Sequence, residues 1–208
     1  MSIVKLNNKA VSNATAFGSI SSLGSMVFIK KLTASSSATL SFVDGASGVV
    51  LDDTYKEYVF TFNNIHPATD GGQFAFNLST DGGSNYNVTK TSTMFNAQHG
   101  EGGAGGVLGY ESGYDLAQST SDQKLVAGGG IGNGNDESLS GYLNLFNPSS
   151  TTFVKHFIGS TNMYNNYDYT MNQYFAGYGN TTSAVDAIIF RFNSGNIDAG
   201  DICLYGIA

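Results

Sequence analysis

Three histidines are the residues of this sequence that could hold a catalytic metal, because imidazole nitrogens are common ligands of zinc. They are His66, His99 and His156, and none of them belongs to an HxH or HExxH pattern, the spacings that bring two ligands onto one face. His66 precedes Pro67, which is typical of a turn, and His156 stands in a predicted strand. The sequence therefore predicts no shared metal site and no cofactor.

Acidic residues offer a second possible chemistry, since glycosidases use two carboxyl groups held roughly 5 to 9 Å apart. Asp52 and Asp53 are adjacent in the chain, as are Asp136 and Glu137, so on a strand the members of each pair would point to opposite faces. A Gly-x-Ser-x-Gly nucleophile elbow is absent, and its nearest approximation, residues 109–113, has the wrong spacing. We predict no catalytic residue and no enzyme.

A cluster of tyrosines and asparagines is the strongest indication of a binding site. Five of the twelve tyrosines lie between residues 164 and 178. Flat rings beside amides stack on sugars and hydrogen-bond their hydroxyls, and the same residue types also serve protein interfaces. The alternative is that these are ordinary sheet and core residues. The candidate contact residues are Tyr164, Asn165, Asn166, Tyr167 and Tyr169.

Two glycine-rich stretches, 100–109 and 128–134, are predicted to be loops that contact the same ligand or neighbour. Neither is followed by Gly-Lys-Ser/Thr, so neither is typical of a phosphate loop. Asparagine and acidic oxygens at 133–137 could surround a calcium ion, although the EF-hand order is missing, and a structural cation stays open. The candidate loop contacts are Gly102, Gly105, Asn133 and Asn135.

Charge limits the possible partners of the 208-residue chain. Nine Lys and Arg stand against sixteen Asp and Glu, a net charge of −7, and the only arginine is Arg191. Phosphate backbones and anionic membranes are bound by clustered basic residues, so we expect no nucleic-acid partner and no membrane insertion. The lone Cys203 excludes an intramolecular disulfide framework, and no visible signal peptide is found at the N-terminus.

Composition and alternation predict an all-β fold. Gly accounts for 27 residues and the hydrophobic residues are rich in Phe and Tyr, which disfavours helices. The clearest strand is Lys56 to Asn64, where Tyr58, Phe60 and Phe62 share one face. About ten such strands, separated by turn signals, predict a two-sheet β-sandwich of jelly-roll type. We expect this domain over residues 26–208, preceded by an extended N-terminal arm over 1–25.

A resemblance to a known family is carried by several segments. Residues 63–70, Asn-Asn-Ile-His-Pro-Ala-Thr-Asp, resemble a β-sandwich module of structural proteins from marine tailed bacteriophages, including phages of cyanobacteria and Pelagibacter-like hosts. Residues 4–11 are similar to the start of tail-fibre-like proteins, and residues 192–200 with 204–207 are similar to the last hairpin of the module. The chain has no heptad region and no fibrous repeat, so it lacks the shaft of a long fibre.

The resemblance implies a non-enzymatic virion structural protein, assembled in the host cytoplasm and displayed on the exterior of the particle. It implies other virion proteins as partners and a homo-oligomer, a trimer by analogy. Receptor binding in a tail-fibre appendage, with a host surface glycan as ligand, is the first hypothesis. The alternatives are a capsid decoration protein and a glycan depolymerase.

Overall fold

The computed structural model describes residues 25–208, which form twelve β-strands and contain no helix. The predicted arm over residues 1–25 lies, except for Ser25, outside the described residues. The strands are β1 (Met26–Thr33), β2 (Leu40–Val43), β3 (Glu57–Pro67), β4 (Phe74–Ser79), β5 (Lys90–Gly100), β6 (Val107–Tyr110), β7 (Gln123–Lys124), β8 (Leu139–Phe146), β9 (Lys155–Tyr164), β10 (Tyr169–Gly179), β11 (Ala187–Phe192) and β12 (Ile197–Ile207).

The strands form two sheets in which every pairing is antiparallel. The large sheet has eight strands in the order β1-β12-β3-β8-β9-β10-β5-β6, and the small sheet has four in the order β2-β11-β4-β7. The predicted all-β, two-sheet sandwich is therefore confirmed.

Aromatic side chains from both sheets fill the space between them. Tyr58, Phe60 and Phe62 on β3 are buried as the alternation predicts. The rings of Phe60 and Phe62 contact Phe190 of β11, and that of Phe62 also contacts Phe74 of β4. Burying large apolar surfaces from two facing sheets is what stabilises a sandwich without disulfides.

The chain passes repeatedly from one sheet to the other. β1, β3, β8 and β12 belong to the large sheet, whereas β2, β4, β7 and β11 belong to the small one. A jelly roll has eight strands in two Greek keys. Here β5, β6, β9 and β10 extend the large sheet by four further strands. The jelly-roll type consequently stays a prediction.

Two strands were not expected from the sequence. β6 occupies Val107–Tyr110, within a stretch predicted to be a flexible loop, because these residues pair with β5 in the register Phe95↔Tyr110 to Gln98↔Val107. β7 has only two residues and pairs with β4. The loop prediction is thus wrong for residues 107–109, where the ladder to β5 outweighs the glycine content.

The two described segments that carry the family resemblance pack against each other in one corner. β3 and β12 pair there with two register shifts, and the Ala68 amide donates to the Asn196 carbonyl oxygen at 3.0 Å. Gly200 has a φ of +114°, and a side chain at this position would collide with the backbone of the 63–70 segment. This corner is a structural feature of the sandwich, since its residues are occupied by contacts with each other.

Candidate binding surface

The turn between β9 and β10 is built around Asn165. Its side-chain Oδ1 accepts hydrogen bonds from the backbone amides of Tyr167 and Tyr169, both at 3.0 Å, and its Nδ2 lies 3.2 Å from the Met171 Sδ. An asparagine side chain that bonds the backbone of a turn in this way fixes its conformation. Asn165 is buried and therefore positions its neighbours rather than contacting a ligand.

The second glycine-rich stretch approaches this turn closely. The Asn166 amide donates to the Gly130 carbonyl oxygen at 3.4 Å, and Ile131 forms an isolated bridge with Asn165. A side chain at Gly129 would collide with those of Asn166 and Tyr167 and force them to move, so glycine at this position favours the approach. Residues 128–131 therefore lie beside the tyrosine segment.

The turn between β5 and β6 approaches from the other side. The Glu101 amide donates to the Asp168 carbonyl oxygen at 2.9 Å, and the Tyr169 ring packs against Gly100. The three segments 100–106, 128–131 and 164–169 thus form one surface, which we call the loop cluster. Gly102 and Gly105 lie at its exposed tip, with open space where a side chain would be.

A groove of about 310 Å³ lies beside the loop cluster, where β5 and β9 end and β10 begins. Its chemistry combines an aromatic ring, an amide, hydroxyls and a carboxylate. The amide of Asn162 donates to the Thr170 Oγ1 at 3.0 Å. These are the groups that hold a hydroxyl-rich ligand in an orientation while a ring covers its apolar face. The lining residues are His99, Gly100, Glu101, Asn162, Met163, Tyr164 and Thr170.

Tyr164 supplies the phenol ring that lines this groove. Its hydroxyl donates to the Asp168 Oδ1 at 3.3 Å, and the negative charge of Glu101 also acts on it. Desolvation and the two carboxylates raise the pKa of Tyr164 to about 12, because they disfavour the phenolate. The hydroxyl therefore stays protonated well into the alkaline range. Glu101 and Asp168 are distant in sequence, so no motif indicates that both act on Tyr164.

The other candidate residues take different positions. Tyr167 is 65% exposed at the edge of the loop cluster, whereas Tyr169 is half-buried against Gly100. Asn133 and Asn135 are exposed, but their turn lies against a different neighbour: the Gly134 carbonyl oxygen is 3.1 Å from His66 Nε2. These two asparagines thus belong to the side of the β3–β12 corner. Among residues 25–208 there is no group of three metal-ligating side chains.

One surface was missed by the sequence reasoning. The outward side chains of β8, β9, β10, β5 and β6 include four half-exposed rings in neighbouring strands, of Tyr142, Tyr174, Phe95 and Tyr110. No Asp, Glu, Lys or Arg stands among the outward residues of these five strands. In the sequence, the alternate residues of these strands that point outward carry no charge. Only the register between the strands shows that these residues form one face.

No protein-family model matches this chain, and no curated protein or solved structure shows significant similarity to it. The described part of the chain also has no helix that could cross a membrane.

Replacing Asn165 by alanine removes the acceptor that fixes the β9–β10 turn. We expect the free energy of unfolding to fall by about 1 to 2 kcal/mol, because two backbone amides lose their partner. Denaturant unfolding of the Asn165→Ala and Asn165→Asp variants checks this, since aspartate keeps the acceptor. Equal losses in both variants would show that Oδ1 does not hold the turn.

Proposed function

We propose that this chain is a non-enzymatic structural protein on the exterior of a tailed-phage virion, a tail-fibre appendage component that binds the host receptor. The observation that carries the proposal is the groove at Tyr164, where a ring, an amide and hydroxyls converge beside exposed glycine loops. The resemblance of residues 63–70, 192–200 and 204–207 to marine phage structural proteins supplies the virion context. Assembly would take place in the host cytoplasm with other virion proteins, as a homo-oligomer, by analogy a trimer.

A host surface glycan is the ligand that this groove fits best. Sugar rings present CH groups on one face and hydroxyls around the rim, so Tyr164 can cover the first while Asn162 and Thr170 bond the second. Many shallow contacts of this kind are weak singly, and several copies on one particle raise the overall avidity.

Two alternatives remain as outcomes of experiment. Capsid decoration would use the sandwich to cover the shell instead of the host surface. A glycan depolymerase would need a pair of carboxyl groups, and Glu101 and Asp168 both approach the Tyr164 hydroxyl. Release of reducing sugar from host polysaccharide by the purified chain would favour this second alternative.

Cryo-electron microscopy of the intact virion tests the placement directly. Density for this chain on the tail, in threefold- or sixfold-related copies, is the expected result. Density repeated over the capsid lattice would instead identify a decoration protein. Absence of the chain from the particle would overturn the virion assignment altogether.

We expect the Tyr164→Ala variant to bind host cells about 10- to 30-fold more weakly than the wild type, because truncating a central aromatic contact removes most of a small site's affinity. The measurement is competition of the purified chain against phage adsorption. Phe153→Ala is the matched control, since Phe153 is an exposed ring that does not line this groove. If Tyr164, Tyr167 and Tyr169 can all be replaced by alanine without effect on adsorption or assembly, the loop cluster is not the contact site.

A further inference from the structure

The uncharged outward face of β8, β9, β10, β5 and β6 is a second exposed surface of residues 25–208. Across it runs a row in register, in which Tyr142 pairs with Ser160, Ser160 with Tyr174, Tyr174 with Phe95 and Phe95 with Tyr110. The Phe95 and Tyr174 rings stack with centroids 5.1 Å apart. Sheet faces in contact with water usually carry charges, whereas the carboxylate bonded to this row is that of Asp115, outside the five strands, which accepts a hydrogen bond from the Tyr110 hydroxyl. An exposed aromatic row whose own strands carry no charged side chain on this face marks an interaction surface.

A groove of about 440 Å³ opens on this face. Its floor is Ala176, which pairs with Ile158 on one side and Thr93 on the other. One end is formed by Tyr178, whose ring meets His156 at 6.1 Å between centroids. The small alanine between larger neighbours creates the depression, and aliphatic and aromatic carbon atoms dominate its lining. This groove accepts an apolar side chain.

An apolar projection stands at the edge of the same sheet. β6 is bonded only to β5, and its Val107 and Leu108 are 50% and 75% exposed. Natural edge strands are normally protected by lysine, proline or a covering segment. β6 contains no charged residue and no proline. Nothing in residues 25–208 covers this edge.

The partner that suits these surfaces is a second copy of this chain. Each copy carries a net charge of −7, so copies repel one another unless they meet through surfaces without charge. The face measures roughly 19 Å across five strands and 27 Å along them, about 500 Å², the larger part of the 800 Å² that each partner buries in a standard interface.

We propose that Leu108 of one copy packs into the groove above Ala176 of the next copy. Each contact joins Leu108 of one copy to the groove of the next, and a rotation that closes produces a ring. A ring of three copies agrees with the trimer of the proposed function, on which this inference rests. Its consequence is that the edge of β6 becomes covered in the assembly.

The test measures the mass of the purified chain by light scattering, with Leu108→Asp and Ala176→Phe variants. The first puts a charge on the projection and the second fills the groove. We expect three chain masses for the wild type and about 30-fold or more weaker self-association for either variant, as for central interface residues. Phe153→Asp is the control, since it changes an equally exposed apolar residue outside both surfaces, and its mass should not change.

Mixing the two variants tests whether Leu108 of one copy enters the groove of another. The Ala176→Phe variant keeps Leu108 and the Leu108→Asp variant keeps the groove, so one intact contact joins them and a dimer of unlike chains is expected. Both changes lie at surface positions, and thermal unfolding checks that the variants fold. If the Ala176→Phe variant does not fold, Ile158→Asp is used in its place.

The possible failures are distinct from each other. A monomeric wild type at micromolar concentration would overturn both the ring and the homo-oligomer of the proposed function. An oligomer that survives both substitutions would overturn this interface alone. Neither result depends on host binding, which the Tyr164→Ala variant tests separately.

Discussion

Replacing Phe190 by alanine is expected to lower the free energy of unfolding by about 4 kcal/mol, within the range for a fully buried phenylalanine. Phe190 lies on β11, in the centre of the small sheet, and no part of it is exposed. Its ring centroid is 5.3 to 6.4 Å from those of five other phenylalanines. Loss of this ring leaves a cavity that both sheets border. The five neighbours are Phe42, Phe60, Phe62, Phe74 and Phe76.

Denaturant unfolding measures this change, provided that the slope against denaturant stays constant between variants. Phe153→Ala provides the control, because Phe153 is 69% exposed and its loss is expected to change the free energy of unfolding by about 0.5 kcal/mol or less. Phe190→Leu should fall between the two, since leucine fills part of the cavity. A loss below about 1 kcal/mol for Phe190→Ala would mean that the core rearranges around the missing ring.

The sandwich itself could be predicted from sequence because the alternation of apolar and polar residues within single strands identifies the core positions. Tyr58, Phe60 and Phe62 occupy one face of β3 and are all buried. β6 could not be predicted in this way. It has four residues, two of them exposed aliphatics, and exists because β5 offers a backbone partner at Phe95 to Gln98. Short edge strands depend on their neighbour more than on their own sequence.

The segments that form the candidate site could be predicted from the sequence, but the roles of their individual residues could not. Composition brought the tyrosine segment and the glycine stretches into one hypothesis, and the structure places 100–106 and 128–131 beside 164–169. Asn165, however, uses its side chain to hold the turn. Asparagine serves turns and ligands with the same oxygen, so sequence alone does not distinguish the two. Asn133 and Asn135 do not belong to the candidate site, because their turn lies against His66.

Lys90 gives the protein an unusual expected dependence of stability on pH. Its side chain is fully buried, and Nζ donates to the Asn77 Oδ1 at 2.6 Å and the Val88 carbonyl oxygen at 2.7 Å. Desolvation lowers the pKa of Lys90 to about 8, although the Asp122 carboxylate acts in the opposite direction. Both hydrogen-bond partners are neutral, so they compensate the buried charge only in part.

The direction of the pH effect depends on whether the folded or the unfolded chain binds more protons. In the unfolded chain a lysine keeps its proton up to about pH 10.4, whereas folded Lys90 loses it near pH 8. Between these values unfolding takes up a proton, so the free energy of unfolding rises with pH by at most about 1.4 kcal/mol per pH unit. Burial also lowers the pKa of Lys155, which adds to the rise.

The buried Tyr58 limits the pH range over which the free energy of unfolding rises. Burial raises the pKa of Tyr58 far above its usual value, so above about pH 10 only the unfolded chain loses the phenol proton. Unfolding then releases a proton and stability falls again as pH increases. The free energy of unfolding is therefore expected to pass through a maximum near pH 10.

Denaturant unfolding at pH 7.5 and 9.5 is expected to show a gain of about 1 to 2 kcal/mol at the higher pH. Lys90→Met should remove most of this gain, because methionine fills a similar volume without a titrating group. Lys56→Met, at an exposed position, should leave the gain unchanged. A wild type whose stability is flat or falling over this interval would show that Lys90 keeps its proton in the folded protein. Asp122, which bonds both Asn77 and Arg191, would then be the group that stabilises the buried ammonium.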